Sequence, residues 1–560
     1  MSANIIRTNK WAAAGLLLIC ACLLCTMNGC TAEKASIPYE PGFKTLAVQI
    51  VPFSEIESVD APTILTRLEN QKLALKVRGS TGKMQPFYVR GIETGFYDTR
   101  NQKDIDWDQV FAGHQLLGAN TSLFMVHWQD IEPEPGKYDF AFMDQIVATA
   151  KKYNVKIWWV LFMRCSIGDP VSGANAWVYR FLNKDSADHS IQWIKTESGK
   201  FINNADESVK NKVRIFPEYA HPEVFSRIRD MVNAIGRHYR NSPDVLGVQI
   251  GNEEGFHESG EGDFNPAANA LFEKWKKKTG KSDTIQFKME INKYWWQHFT
   301  TAFHRADPYK LTSYNLHAGF PEAGQEKHIK RMGVDASIYG DGNIDVIGTM
   351  FYGHHGLKIW PNLDRQYKTY VHELPILVPS EIGLGPRWGP QVQFQTYVIN
   401  AIERGAQGYS AYCYGELVDA NGEPNVFGQS FRKLSDMVQA NEDVIYAGVP
   451  GPGNVTIETA VPEAKISQLH RNPDSTLGIL YFPNAFTQKN PDSNTNTVEV
   501  SVEFKSAKSG KYKVGVYRDG ALQSTDIRQL DAGQAVHGLT LADVRETEAI
   551  FLRIEKIGNE

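Results

Sequence analysis

From Phe87 onward, short apolar runs alternate with longer stretches whose apolar residues recur at helical period. The runs read as strands at Phe87–Ile92, Thr121–Val126, Lys156–Phe162, Val245–Ile250, Leu311–Asn315, Ile344–Thr349, Pro375–Val378 and Gly408–Tyr412. Between them, Pro222 to Tyr239 places Val224, Ile228, Met231, Val232, Ile235 and Tyr239 on one helical face, with proline in the first turn. Phe140 to Tyr153 and Gln391 to Arg404 have the same period. Eight strand–helix pairs over about 360 residues predict a parallel (β/α)8 barrel, an α/β architecture, at residues 86–447. The longest insertion, Arg164 to Phe216, follows the third strand and is expected to wall the mouth.

The pattern changes on either side of the barrel. Past Gly448-Val449-Pro450-Gly451-Pro452-Gly453, which reads as a linker, the period becomes two. Val498, Val500, Val502 and Phe504 alternate with Glu499, Ser501 and Glu503, and Tyr512, Val514 and Val516 repeat the pattern. Residues 454–560 therefore predict a β-sandwich, with Arg518-Asp519-Gly520 as a hairpin turn. Residues 43–85 predict a small N-terminal β segment.

The first residues form a different kind of unit. Arg7 and Lys10 precede the uncharged run Ala12 to Leu24, whose 13 residues are too few to span a bilayer but suit a signal-peptide core. Met27-Asn28-Gly29-Cys30 follows and resembles a bacterial lipobox. The expectation is a signal peptide at 1–29, lipidation of Cys30, and a tether at 30–42, giving an exported lipoprotein of the cell envelope, anchored by lipid to a bacterial membrane. Cleavage leaves 531 residues and moves the net charge from -5 to -7. Three of the six cysteines leave with the signal, so only Cys165 and Cys413 remain beside Cys30. Nucleic-acid binding has no basic footprint in this chain. The 12 Trp and 23 Tyr suit the stacking of sugar faces. Oligomeric state is not legible.

In a barrel of this type, reactive groups gather at the C-terminal strand ends. The fourth strand runs into Gly251-Asn252-Glu253-Glu254-Gly255, and the seventh into Pro379-Ser380-Glu381-Ile382-Gly383. Two opposed carboxylates are what retaining glycoside hydrolysis needs, at a separation of about 5–5.5 Å, and it needs no metal or organic cofactor. An amide just before the acid suits a contact with the sugar 2-hydroxyl. Tyr352, after the sixth strand, is placed to hydrogen-bond Glu381, or else packs in the core. Trp388, just past Glu381, is expected on the rim. Trp128 is either a platform for sugar or packing at the barrel mouth. The adjacent His354 and His355 point to opposite sides of a strand end and do not suggest a shared metal.

The segment Gly247-Val248-Gln249-Ile250-Gly251-Asn252-Glu253-Glu254-Gly255 resembles the acid/base segment of family 35 and family 42 β-galactosidases of glycoside hydrolase clan A. The stretch from His127-Trp128 through Glu132-Pro133-Glu134-Pro135-Gly136 to Asp139-Phe140 resembles their second-strand signature. The resemblance covers about Phe87 to Asn441. It implies Glu253 as acid/base, Glu381 as nucleophile, Asn252 on the 2-hydroxyl, and Tyr412 in an aromatic floor at the end of the eighth strand. It further implies an oligo- or polysaccharide substrate, with β-galactosidase the leading activity. Another clan A β-glycosidase, agarase-like or mannan-active, is the alternative within the class. A non-catalytic glycan-binding lipoprotein is the alternative outside it. The chain departs from family 35 at Met125, where that family has a sugar-contacting Tyr. It departs again at Arg164-Cys165-Ser166, where a sugar-binding Glu is expected.

Overall fold

A computed structural model describes residues 39–40, 43–94, 105–163, 218–252, 266–315, 343–352, 376–386, 390–483 and 497–558, with short pieces at 165–167, 203–205, 213–215, 334 and 337–341. At its centre, eight parallel strands close into a barrel. They are β1 (Val89–Thr94), β2 (Thr121–His127), β3 (Lys156–Phe162), β4 (Val245–Ile250), β5 (Leu311–Tyr314), β6 (Val346–Ile347 and Met350–Phe351), β7 (Ile376–Leu377 and Glu381–Gly383) and β8 (Gly408–Tyr412). Each pairs with its neighbour in sequence, and β8 returns to β1 through Gly408↔Val89 to Ala411↔Ile92. The expected (β/α)8 barrel is thus the observed one. The bounds differ from the sequence reading in places: β1 and β6 each begin two residues later, β7 runs on to Gly383, and β6 and β7 are each interrupted.

The helices on the outside are α1 (Trp107–Leu116), α2 (Ala141–Lys152), α3 (Pro222–Tyr239), α4 (Pro266–Thr279), α5 (Thr284–Ala306), α6 (Gln391–Glu403), α7 (Val426–Ala440) and α8 (Glu442–Ala447). The apolar stripe of α3 is buried as its period requires, with Val224, Ile228, Met231, Val232 and Ile235 in one cluster with Trp159, Val245 and Phe303. Outward strand residues such as Phe124, Trp159 and Val248 join that outer cluster. Inward residues Leu123, Met125, Trp158, Val160, Leu246 and Leu311 form a separate inner one. Trp158 and Trp159 therefore both pack in the barrel, on opposite sides of β3, as the two-residue period of a strand demands.

The inner cluster continues into a four-stranded sheet at residues 50–86, through Leu65, Leu75 and Val77. That N-terminal sheet closes the end of the barrel where the strands begin. On the far side of the chain, a six-stranded and a three-stranded sheet face each other over a core that includes Val500, Val502, Phe504, Tyr512, Val514 and Ile554. The Arg518-Asp519-Gly520 turn has positive φ at Asp519 (54°) and Gly520 (85°), the type I′ geometry that matches strand twist. The run expected as a linker is docked instead. Val449–Pro450 is the edge strand of the six-stranded sheet, paired with Leu469 and His470. Within the insertion after β3, Cys165–Ile167, Asn203–Ala205 and Val213–Ile215 form a small antiparallel sheet.

Gly247 tests how tightly β4 and β5 are packed. A Cβ on Gly247 would fall inside the van der Waals sphere of the Leu311 carbonyl oxygen, which is backbone and cannot rotate away. Gly247→Ala is expected to destabilise the fold by about 1–3 kcal/mol, the usual cost of overpacking. Denaturant titration reads it, and an unchanged midpoint would show that the two strands slide apart at little cost.

Candidate active site

The inward positions change character along each strand. Near the strand starts they are Val89, Leu246, Leu311 and Val346; near the ends they are Gln249, Asn315, Glu381 and Tyr412. The polar end of the barrel is the candidate site, since functional groups of this fold gather at the C-terminal strand ends.

Glu381 reaches this end through an irregularity in β7. Two residues separate the paired pieces of β6, whereas three separate those of β7. The extra residue falls at Val378-Pro379-Ser380, where proline has no N–H to give the ladder. The Ser380 hydroxyl instead donates to the Gly348 carbonyl at 2.9 Å. Ordinary alternation would turn Glu381 to the opposite side from the inward Val378. The additional residue re-aims it inward, as bulges near functional sites do.

The Glu381 carboxylate is 3% exposed and held at both oxygens. The Tyr352 hydroxyl donates to Oε2, and Asn315 Nδ2 donates to Oε1 at 2.7 Å. The same Asn315 nitrogen donates to Asn252 Oδ1 at 2.7 Å. Gln249 Nε2 donates to that oxygen as well, at 3.1 Å. One amide thus ties the residue after β4 to the carboxylate of β7, with the β6 Met350 sulfur 3.6 Å away. Behind it, the Tyr352 carbonyl accepts from Gln393 Nε2 at 3.4 Å. Tyr412 meets Tyr352 edge to face, with ring centroids 5.8 Å apart, and the Tyr412–Cys413 peptide is cis.

Of the residues singled out from the sequence, Asn252, Tyr352, Glu381 and Tyr412 are therefore together. Glu253, Trp388 and Cys30 lie outside the described residues. Trp128 is not with them, and the platform reading is corrected. It is 1% exposed in the outer cluster, and its indole N–H donates to Glu132 Oε2 at 2.7 Å. Glu132 also accepts from the Gly136 N–H and from Arg227. The Trp-Glu-Pro-Gly segment thus works here as a folded corner outside β2, with no ring face open to a sugar. Sequence reasoning missed Asn315 and Gln249. The signal available was that each is a lone amide at an inward position near the end of a buried strand.

A second polar chain supports the floor from outside. His114 of α1 is fully buried, stacked on Tyr414 at 4.9 Å, and sits 2.9 Å from the Thr94 hydroxyl at the end of β1. Its Nδ1 is 2.9 Å from the Val110 carbonyl, so the N–H is placed there and Nε2 accepts from Thr94. Ser122 donates to Thr94 in turn, at 2.8 Å. Burial pushes the His114 pKa down to about 4, against the opposing pull of the Val110 carbonyl.

Comparison with known proteins finds β-galactosidases over part of the barrel. The β-galactosidase model of glycoside hydrolase family 42 matches residues 98–178 and 192–311. A β-galactosidase of Bifidobacterium bifidum is 24% identical over 220 residues, covering 38% of this chain and 28% of that protein. One from Geobacillus kaustophilus is 26% identical over 206 residues, covering 37% of this chain and 26% of that protein. The matched region thus spans about a quarter of the length of these relatives. A solved family 42 β-galactosidase from G. stearothermophilus superposes with a TM-score of 0.48 at 13% identity, covering 66% of this chain and 58% of the other.

The His114 chain makes stability depend on pH with a definite sign. A histidine whose folded pKa lies below its unfolded value of about 6.5 binds more protons when unfolded. Its stabilisation is complete above pH 6.5 and is lost as pH falls toward 4, by at most on the order of 3 kcal/mol. Denaturant titrations from pH 7 to pH 4 should show a steeper loss for the wild type than for His114→Gln; parallel losses would remove His114 as the cause. Over residues 98–178 and 192–311 the barrel is similar in sequence to the β-galactosidases of glycoside hydrolase family 42.

Proposed function

We propose that this chain is a retaining glycoside hydrolase acting on β-glycosidic bonds of oligo- or polysaccharides, with β-galactosides as its leading substrates. The observation that carries the reading is the Glu381 carboxylate, buried and directed inward by the β7 bulge, gripped by Tyr352 and Asn315 beside Asn252. A carboxylate fixed at both oxygens is suited to attack one carbon from one direction, which is the geometric demand on a nucleophile.

In this mechanism Glu253, the residue after Asn252, protonates the departing glycosidic oxygen while Glu381 attacks the anomeric carbon. A glycosyl ester forms on Glu381. Glu253 then removes a proton from water, which attacks the same carbon and releases the sugar with its β configuration. Asn252 keeps its carbonyl oxygen on Asn315 and Gln249, which turns its NH2 group toward the 2-hydroxyl. Tyr412 closes the floor of the sugar site, and Trp388 contributes to its rim. No metal or organic cofactor enters these steps.

Three measurements test the reading together. Glu381→Gln and Glu253→Gln should each lower kcat/KM on an aryl β-D-galactopyranoside by roughly 10³-fold or more. NMR of the first product should show the β anomer; an α anomer would overturn retention, and a fully active Glu381→Gln would overturn the nucleophile. Asn315→Ala should lower kcat by roughly 10–100-fold, the worth of one hydrogen bond to a charged group. A wild type that binds glycans but turns none over would favour a binding protein on the same scaffold.

We further propose that Cys30 is lipidated after cleavage and anchors the protein to the bacterial cell envelope. Cys30→Ala should then lose radiolabelled palmitate and leave the membrane fraction; continued labelling would refute this anchor.

A further inference from the structure

The six-stranded sheet of the C-terminal sandwich has an outer face only partly covered by the barrel. Leu469, Leu477, Ile479 and Phe551 are buried in one cluster with Phe394 and Phe431 of α6 and α7. Farther along the same face, the neighbouring strands β9 (Gly510–Arg518), β10 (Ala521–Leu530) and β11 (Ile550–Gly558) leave a cleft of about 250 Å³. Its floor is Gly515, which has Thr525 opposite on β10 and Arg553 opposite on β11. A Cβ on Gly515 would lie 3.3 Å from a ring carbon of Tyr517 and 3.4 Å from a methyl of Leu522. Any larger residue there would begin to fill the cleft.

The walls differ in chemistry. Tyr517 is half-buried and Leu522 is 50% exposed, so one side offers an apolar surface. On the other side, Arg553 is held rigidly. Asp443 of α8 accepts from its two terminal nitrogens at 2.8 and 2.9 Å, and Glu555 accepts from Nε at 3.0 Å. Lys513 and Thr525 are exposed at the rim. Among the described residues, neither their side chains nor the Tyr517 hydroxyl has a hydrogen-bond or ion-pair partner.

We propose that this cleft is a carbohydrate-binding site, separate from the barrel mouth, that takes a neutral sugar unit of a polysaccharide chain. A pyranose presents C–H groups on its faces and hydroxyls around its edge. The Tyr517 ring and Leu522 meet a face, while Arg553, Glu555, Lys513 and Thr525 meet the edge with both donors and acceptors. The cleft's volume is on the scale of one sugar ring and below the range of pockets for drug-sized ligands. Cations and carboxylates stand side by side, which favours a neutral sugar over an anionic one. The apolar surface is confined to one wall, which disfavours an apolar peptide.

The inference rests on the proposed function only for the choice of probe; binding here requires neither Glu253 nor Glu381. The test uses the full chain in a Glu381→Gln background, run in native gels containing soluble β-1,4-galactan or galactomannan. Retardation by one of the two polysaccharides is expected. It should weaken at least about fivefold on adding Tyr517→Ala, and likewise on adding the exposed pair Lys513→Ala and Thr525→Ala, which disturbs no packing. In the otherwise wild-type chain the same changes should leave turnover of an aryl β-galactoside within about twofold. Retardation that survives both changes, or its absence with both polysaccharides, would overturn the cleft while leaving the catalytic reading to its own assay. Retardation lost with the cleft variants in a chain without turnover would overturn the catalytic reading and keep the cleft.

Discussion

Everything at the polar end of the barrel depends on how one side-chain amide divides its two hydrogens. Asn315 Nδ2 lies 2.7 Å from Asn252 Oδ1 and 2.7 Å from Glu381 Oε1. The NH2 group is planar, so its two N–H directions are fixed relative to each other. The angle between the residue after β4 and the carboxylate of β7 is therefore fixed too. This works only if β5 stands between β4 and β6, with β6 beside β7, which is the neighbour order of the closed barrel. The contact also needs Asn315 to face inward, one step beyond the outward Tyr314, whose ring packs at 5.1 Å from Trp296. The apolar packing outside β5 thus sets the direction of the amide inside it.

The same logic explains why β6 and β7 are broken. An uninterrupted β7 would keep Val378 inward and send Glu381 toward the helices, where an unpaired carboxylate would be costly. The residue added around Pro379 disrupts the ladder locally. Ser380 Oγ–Gly348 O and Ser410 N–Pro379 O, at 2.9 Å each, take up part of the lost pairing. What the strand loses in regularity, the site gains in the direction of one side chain.

The fold was legible because burial leaves a period. The eight strands and the helices α2, α3 and α6 are each written as an apolar run or stripe, and packing enforced them. Glu381 was legible as an acid close to a strand end, yet the bulge that turns it inward has no periodic signature beyond a proline. Asn315 was legible only as a polar residue closing an apolar strand; its two partners come from the neighbouring strands, which the sequence does not display. Trp128 misled for the opposite reason. Its motif is real, but the indole serves Glu132 and the β2 corner, and sequence spacing carries no information on which way a ring turns. The Gly448–Gly453 run had the composition of a linker. Its Val449-Pro450 pair still joins the sheet at an edge, the place where a strand tolerates proline.

The six-residue helix α8 shows how the three parts of the chain are held in one arrangement. Glu442 pairs with Arg90 of the barrel strand β1. The Tyr446 hydroxyl donates to the Leu75 carbonyl of the N-terminal sheet at 2.8 Å, and Lys72 of that sheet donates to the carbonyls of Ile445 and Gly448 at 3.0 Å each. Burial pushes the Lys72 pKa down to about 7, and the carbonyls its amine meets lie at a helix C-terminus, where positive charge is favoured. Asp443 on the same helix grips Arg553 and Arg471 of the C-terminal sheet. Barrel, N-terminal sheet and sandwich therefore meet on one short helix. A sugar chain bound beside Arg553 would be held at a constant distance and orientation from the barrel mouth, and an unbound stretch of it would reach that mouth at an effective concentration set by its own length.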